Sequence, residues 1–216
     1  ATLGDVEDLI HDNLAVGLAG PRLAVSPRTL DFDQVLVGQT GALSLVLKSV
    51  GQEEATIFVL SGSLTSTGSI VVEAGTLHLS GGTLQGTMDI RAGAVLRQSG
   101  NTVIASLNAA GDGVFEIGGS VTAGTQAGQQ IDFINVTINS TASGASLQGP
   151  ADVLIRGVFD WQKGEIADLP SLSTYSMSET RLSTDGVKWL SNSRWIAYGR
   201  VECVDRLDLT LGNGAA

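Results

Sequence analysis

The strongest constraint in this sequence is a segment that repeats itself after 18 residues, at Val71 and again at Asp89. VVEAGTLHLSGGTL aligns there with DIRAGAVLRQSGNTV, which keeps apolar positions and turns in the same phase. A repeat of this length is typical of one coil of a β-solenoid, where stacked coils bury what a single coil leaves exposed. We therefore predict that Val72 and Ile90 stack inside adjacent coils.

The same alignment predicts which side chains fill the interior and which residues form the turns. The other matched pairs are Ala74 with Ala92, Gly75 with Gly93, Leu77 with Val95, and Gly82 with Gly100. With period-two alternation, the expected core residues are Ile70, Val72, Leu77, Leu79, Leu84, Met88, Ile90, Val95, Val103 and Ile104. A total of 28 glycines and only 16% charged residues fit an all-β fold with many tight turns.

Charge and hydropathy exclude two classes of partner. A net charge of −10 repels a phosphate backbone, so we expect no nucleic acid partner. The sequence contains no apolar run of the roughly 18 to 20 residues needed to span a bilayer, so we expect no membrane span.

The chain is expected to open with a short arm or linker, residues 1–22. Within it, DVEDLIHDNL at residues 5–14 has helical spacing, and its apolar side chains would share one face. These side chains are Val6, Leu9, Ile10 and Leu14. Such an arm is a candidate cover for the end of a neighbouring subunit.

Residues 23–61 alternate apolar and polar side chains between tight turns, as antiparallel strands do. The stretch resembles the opening of the ASH (Hydin-type) immunoglobulin-like family, L-x-V-x-P-x-x-L-D-F-x-x-V-x-V-G-Q-T. The matching positions are Leu23, Val25, Pro27, Leu30, Asp31, Phe32, Val35, Val37, Gly38, Gln39 and Thr40. The resemblance implies an immunoglobulin-like β stretch, and it also leaves open an intracellular, ciliary scaffold.

Residues 62–216 are predicted to form the β-solenoid. Their last third resembles a unit of large secreted bacterial and algal repeat proteins, which implies an extracellular or cell-surface location. The positions that carry this resemblance are Gly186, Lys188, Leu190, Gly199, Val201, Leu209, Gly212, Asn213, Gly214 and Ala215. The segment FDWQKGEI, residues 159–166, is similar to the openings of such units.

Catalytic, metal-binding and cofactor motifs are missing from the sequence. His11 and His78 are far apart, no G-x-S-x-G string occurs, and no His or Cys spacing suits zinc. The single cysteine, Cys203, is expected to be buried and inert. We therefore assign no catalytic residue, no metal and no cofactor.

The enzyme alternative is a polysaccharide lyase or hydrolase, because β-solenoids can present carboxylates on one outward face. The acids grouped closely enough to be considered are Asp132, Asp152, Asp160, Glu165 and Asp168. Asp160 and Glu165 would have to lie roughly 5 to 9.5 Å apart across a glycosidic bond. Solvated acids in turns are the competing interpretation.

Late aromatic residues and two sequons mark candidate glycan sites. Trp161, Trp189, Trp195 and Tyr198 would stack on sugar rings, with packing between coils as the alternative. Asn135 and Asn139 match N-glycan acceptors. We expect both asparagines to face outward, and the aliphatics Ile134, Val136 and Ile138 to face inward.

Together these features predict a non-catalytic structural building block of an extracellular or cell-surface assembly. Its expected partners are neighbouring subunits, which meet end to end and form a filament, because LDLTLGNGAA at residues 207–216 shows no capping element. The alternatives are a carbohydrate-binding adhesive module and the polysaccharide-degrading enzyme.

Overall fold

A computed structural model describes residues 69–139, 144–205 and 208–212, together with the backbone of four short strands, 23–26, 46–49, 56–58 and 64–66. These residues form strands and turns and include no helix. Accordingly, the described part of the chain offers no helix long and apolar enough to cross a membrane. The chain divides into two units, residues 1–55 and 56–216.

The first unit contains one described pair of strands, β1 (Leu23–Ser26) and β2 (Val46–Ser49), which run antiparallel with Leu23 opposite Ser49. Antiparallel pairing is what the alternation predicted for this stretch. The remainder of the expected immunoglobulin-like segment up to residue 55, and the helix expected at residues 5–14, lie outside the described residues.

The second unit is a parallel β-solenoid of about seven turns, as the repeat predicted. Each coil contributes up to three strands, and equivalent strands of successive coils pair in parallel along three faces, A, B and C. Two long strands, β6 (Thr76–Ile90) and β7 (Val95–Ala110), each cover a whole coil. β6 pairs with three short strands on one side and with β7 on the other.

Short strands make up the rest of each face. Face A contains β3 (Thr56–Phe58), β8 (Val114–Ile117), β11 (Asn135–Ile138), β14 (Val158–Trp161), β17 (Glu179–Leu182) and β20 (Arg200–Cys203). Face B contains β4 (Leu64–Ser66), β9 (Ser120–Ala123), β12 (Ser146–Gln148), β15 (Gly164–Ala167), β18 (Lys188–Ser191) and β21 (Leu209–Leu211). Face C contains β5 (Ser69–Val72), β10 (Gln130–Phe133), β13 (Asp152–Ile155), β16 (Leu172–Thr174) and β19 (Trp195–Ala197).

The corners between faces differ in length. Face A leads to face B through two residues in one coil, Gly118 and Gly119, and through five in a later one, residues 183–187. Face C leads to face A through Ile134 alone in one coil and through Arg156 and Gly157 in the following one. The strands therefore keep their register while the A-to-B corners vary.

The predicted stacking of Val72 on Ile90 is confirmed. The two residues are partners in the parallel ladder between β5 and β6, and both side chains are buried. Gly75 and Gly93 occupy equivalent turns with φ of 71° and 78°. A Cβ at Gly93 would meet nothing within 4 Å, so the left-handed backbone rather than lack of space selects glycine there.

Beyond this turn the predicted 18-residue phase is wrong by one or two residues. Leu77 pairs with Leu96 rather than Val95, and Gly82 pairs with Thr102 rather than Gly100. The turn 73–75 has three residues whereas the turn 91–94 has four, and β6 and β7 also slip against each other after Leu79. Because strand side chains alternate, each single-residue shift exchanges inward and outward positions.

This shift decides which predicted core residues are correct. Those that are buried are Val72, Leu79, Leu84, Met88, Ile90 and Ile104, and Ile70 and Leu77 are partly buried against them. The prediction was wrong for Val95 and Val103, since both side chains are only half-buried. The interior positions beside them are occupied by Ala94, Leu96, Thr102 and Ile104.

Candidate functional site

The four predicted glycan-stacking residues do not form one platform. Trp161 is fully buried and stacks on Phe159 with ring centroids 6.1 Å apart. Trp195 is half-buried, and its ring meets that of Trp161 edge-on at 6.1 Å. The prediction that these two residues lie on an outer platform was therefore wrong. They occupy inward positions of faces A and C and pack against the core.

The other two predicted aromatics are exposed but lie on different parts of the solenoid. Trp189 points outward from face B, with 48% of its surface accessible. Tyr198 lies just after β19, at the corner between faces C and A. Sequence reasoning missed Tyr175, which is also exposed. Because Thr174 pairs with Ala197, Tyr175 and Tyr198 hold equivalent positions in successive coils.

The asparagine prediction is confirmed for part of its strand. Val136 and Ile138 are buried, whereas Ile134, Asn135 and Asn139 are half-buried. The side chains of β11 thus alternate as predicted, but both asparagines are less exposed than a surface acceptor would be.

The Asn135 amide connects three coils. Its Nδ2 donates hydrogen bonds to the carbonyl oxygens of Asp112 at 3.0 Å and Gly113 at 3.2 Å, and its Oδ1 accepts one from the Val158 amide at 2.7 Å. A glycan on this nitrogen would have to displace the bonds to the coil below. Asn135 is therefore a clamp between coils in this structure.

The five acids considered for catalysis are distributed over all three faces. Asp132 and Asp152 lie on face C, Asp160 on face A and Glu165 on face B, while Asp168 follows β15. Asp160 and Glu165, the predicted pair, each accept a hydrogen bond from a serine of the next coil, Ser183 and Ser191 respectively.

The other three acids have polar partners as well. Asp132 pairs with Arg156, Asp152 accepts a hydrogen bond from Ser171 Oγ, and Asp168 accepts one from Asn192 Nδ2. Each partner lies in the following coil. These carboxylates therefore hold adjacent coils in register.

Charged side chains of face A also form contacts between coils. Arg97 pairs with Glu116 at 3.0 Å in the ladder of β7 and β8. Further along, Glu179 contacts Arg200 of the next coil at 3.5 Å and Arg181 of its own strand at 2.9 Å. The hydrogen bond from Arg181 lowers the pKa of the Glu179 carboxyl below its ordinary value.

His78, also on face A, contacts the next coil through the hydroxyl group of Ser99. It is aligned with Arg97, not with Leu96 as the 18-residue phase implied, and its Nε2 lies 2.6 Å from Ser99 Oγ. Burial, together with the nearby Arg97 charge, lowers the pKa of His78.

Lys188 is a buried cation that the sequence did not reveal. It takes an inward position of face B, and its Nζ donates to the carbonyl oxygens of Thr184 at 3.1 Å and Gly186 at 3.0 Å. Burial lowers the pKa of Lys188, while the charges of Asp160, Asp185, Asp208 and Asp205 act to raise it. The ammonium thus closes the corner loop 183–187.

The last described coil, β20 with β21, differs from the coils beneath it. Val201 and Leu211 are 45% and 62% exposed, whereas their ladder partners Thr180 and Leu190 are 0% and 3% exposed. Cys203, the partner of buried Leu182, is exposed too, so the expectation that this cysteine is buried was wrong. Inward positions are uncovered here because no described strand lies above them.

The backbone of this coil also has an unpaired edge among the described strands. Within the described residues, β19, β20 and β21 each pair with one neighbouring strand only. Unpaired backbone groups beside exposed apolar side chains form a template for another strand.

No three His, Cys, Asp or Glu side chains come together as a metal site in the part of the chain that is described. Comparisons with protein-family models, curated proteins and solved structures gave no match.

Proposed function

We propose that the protein is a non-catalytic structural building block of an extracellular or cell-surface assembly, and that its copies associate end to end. The observation that carries the proposal is the exposure of inward ladder positions in the last described coil, at Val201, Cys203 and Leu211. In every lower coil, the next coil covers such positions. A further coil from a second copy would cover these three in the same way.

The opposite end of the described solenoid provides the matching partner. Among the described strands, β3, β4 and β5 pair only with β6. Strands of the solenoid are parallel, so the first coil of one copy would extend the last coil of another without reversing direction. Such a contact joins different surfaces and repeats, which produces a filament unless the rotation closes a ring.

The non-catalytic part of the proposal is supported by the carboxylates. The five acids considered for glycan cleavage are bound by side chains of neighbouring coils, and the predicted pair belongs to different faces. The extracellular or cell-surface part is supported by the resemblance of the last third to secreted repeat units.

The test is sedimentation velocity of the full chain over a range of concentrations, with Leu211→Glu as the variant and Met177→Glu as its control. Both residues are exposed, but Met177 lies at the corner between β16 and β17, one coil below the end coil. We expect the wild type and Met177→Glu to form larger species as concentration rises, and Leu211→Glu to remain monomeric. A strictly monomeric wild type at high concentration would contradict the proposal.

Cys203 provides an independent measurement, since it is the only cysteine of the chain. A second copy seated on the last coil would shield its thiol, so modification by a thiol reagent should slow as protein concentration rises. In Leu211→Glu the rate should stay fast at all concentrations. Equal rates in dilute and concentrated wild-type protein would exclude the last coil as the contact. A variant that lacks residues 1–20 tests, in the same assay, the prediction that the N-terminal arm covers the end of a neighbouring copy.

A further inference from the structure

The three faces of the solenoid differ sharply in the charge of their outward side chains. Face A presents His78, Arg97, Glu116, Asp160, Glu179, Arg181, Arg200 and Glu202. Face C presents Asp89, Asp132 and Asp152. On the described strands of face B, Glu165 is the one charged outward side chain.

Hydroxyl and amide groups dominate the outer surface of face B. They lie in rows across successive coils, formed by Thr83, Asn101, Ser120, Thr122, Ser146, Gln148, Ser191 and Thr210. Neighbouring members of a row are about 4.8 Å apart, the spacing of paired strands. Ser146 Oγ and Ser120 Oγ are hydrogen-bonded at 3.0 Å, so the rows are ordered. Face B is therefore an array of uncharged donors and acceptors around the single carboxylate of Glu165.

Trp189 interrupts this polar array. Its ladder partners are Glu165 in the coil below and Thr210 in the coil above. Glu165 Oε1 accepts a hydrogen bond from Ser191 Oγ at 2.7 Å, which fixes the carboxylate beside the indole. A large aromatic side chain that is half exposed on a polar surface combines apolar area with one polar N–H group, as recognition sites do.

We propose that face B, centred on Trp189, binds a strand of neutral polysaccharide. The indole stacks on the apolar face of one sugar ring, and Glu165 and the hydroxyl and amide rows exchange hydrogen bonds with sugar hydroxyls. The ligand is neutral because the face has no Lys or Arg among its outward side chains and the chain has a net charge of −10, which disfavours acidic polymers.

A second copy of the protein fits this face less well than a polysaccharide does. The apolar side chains at outward positions of its described strands are few: Val103, Ala167 and Trp189, of which Ala167 is buried. Stable protein interfaces centre on a contiguous apolar core, which this surface lacks. The binding proposed here is independent of end-to-end association, since it uses a side of the solenoid and not its end.

The first test is affinity electrophoresis in native gels that contain hydroxyethylcellulose, xylan, galactomannan or, as the acidic comparison, polygalacturonate. Trp189→Ala is the variant, and Tyr198→Ala is the matched control because it removes another exposed aromatic from a corner. We expect at least one neutral polymer to retard the wild type and Tyr198→Ala. Trp189→Ala should weaken that binding about tenfold, the loss of one stacked aromatic.

Three results of that experiment would overturn the proposal. They are the absence of retardation by all neutral polymers, equal retardation of Trp189→Ala and the wild type, and equal retardation by polygalacturonate.

Quenching of tryptophan fluorescence by acrylamide gives a second measurement, because Trp189 is the exposed one among Trp161, Trp189 and Trp195. The polymer that retards the protein should protect part of the fluorescence in the wild type and none in Trp189→Ala. Protection that depends on protein concentration without polymer would assign the face to contacts between copies and would exclude the polysaccharide.

Discussion

At the scale of single residues, a buried polar side chain depends on the hydrogen-bond partners that the fold places around it. Lys188 is enclosed at a corner, yet its ammonium has two carbonyl partners in the loop that it closes. A buried charge is tolerated only where hydrogen bonds replace water, so loop and lysine depend on each other. Thr184, which supplies one carbonyl, has a positive φ of 66°, a strained conformation for a β-branched residue.

Lys188 should give the protein a distinctive stability profile at alkaline pH. Its pKa is lowered in the folded state, so between that value and the ordinary 10.5 the unfolded chain binds more protons. Stability should therefore rise with pH through this window. Urea unfolding at several pH values should show the rise in the wild type and in Lys163→Met, and lose it in Lys188→Met. An identical pH profile in Lys188→Met would show that the lysine does not cause it.

The Asn135 clamp predicts a second effect at residue scale. Asn135→Ala removes two donated hydrogen bonds and leaves the Val158 amide without its acceptor, so we expect a loss of about 2–3 kcal/mol in the free energy of unfolding. Asn135→Asp keeps the acceptor for the Val158 amide but places a carboxylate oxygen against the carbonyl oxygens of Asp112 and Gly113, so it should not restore the lost stability. Chemical denaturation measures both. Equal stability of Asn135→Ala and the wild type would rule out a clamping role.

At the scale of strands and coils, sequence reasoning was limited by insertions. The alternation and the repeat predicted the solenoid and the pairing of Val72 with Ile90. They did not predict the extra residue in the turn 91–94 or the slip after Leu79, because the apolar residue Val95 fits either phase. Backbone pairing on both sides of β7, to β6 and β8, decides the phase, and a local pattern contains no information on it.

A pair of adjacent substitutions tests the register of β5. Val72→Asp would bury an unpaired carboxylate and should lower the free energy of unfolding by at least about 3 kcal/mol. Val71→Lys, on the exposed side of the same strand and opposite Asp89, should change it by less than about 1 kcal/mol. Thermal melts of the two variants are the measurement. Similar melting temperatures would reject the register.

The sequence predicted the candidate sites only in part, because their geometry also depends on the strand register. The sequence drew attention to the late tryptophans, but Trp161 and Trp189 differ in whether they fall on an inward or an outward position, and only the register decides this. The role of Lys188 was hidden because its partners are backbone carbonyls, which any residue provides. The scarcity of charge on face B became visible only when residues from seven strands were placed side by side.

At the scale of the whole molecule, the proposed end-to-end contact combines apolar burial with repulsion between copies that each carry a net charge of −10. The two effects respond oppositely to salt, because salt screens charges but does not weaken apolar burial.

Association should therefore strengthen when salt rises from about 0.02 M to about 0.3 M, where screening of exposed charges is more effective. Sedimentation at the two salt concentrations gives the comparison, and Leu211→Glu should stay monomeric in both. Weaker association at the higher salt concentration would mean that ion pairs between copies, and not the apolar end, hold them together.

The unequal corners have a consequence for how such a chain can change its length. Two glycines join faces A and B in one coil, whereas residues 183–187 do so in a later one, and the strands on either side still pair in register. The corners from face C to face A vary as well, from Ile134 alone to residues 175–178, and the register is again kept. An insertion of several residues at such a corner therefore leaves the hydrogen-bonded ladders unchanged. Foreign peptides placed in the exposed corner 175–178 would be displayed outward from the stacked coils.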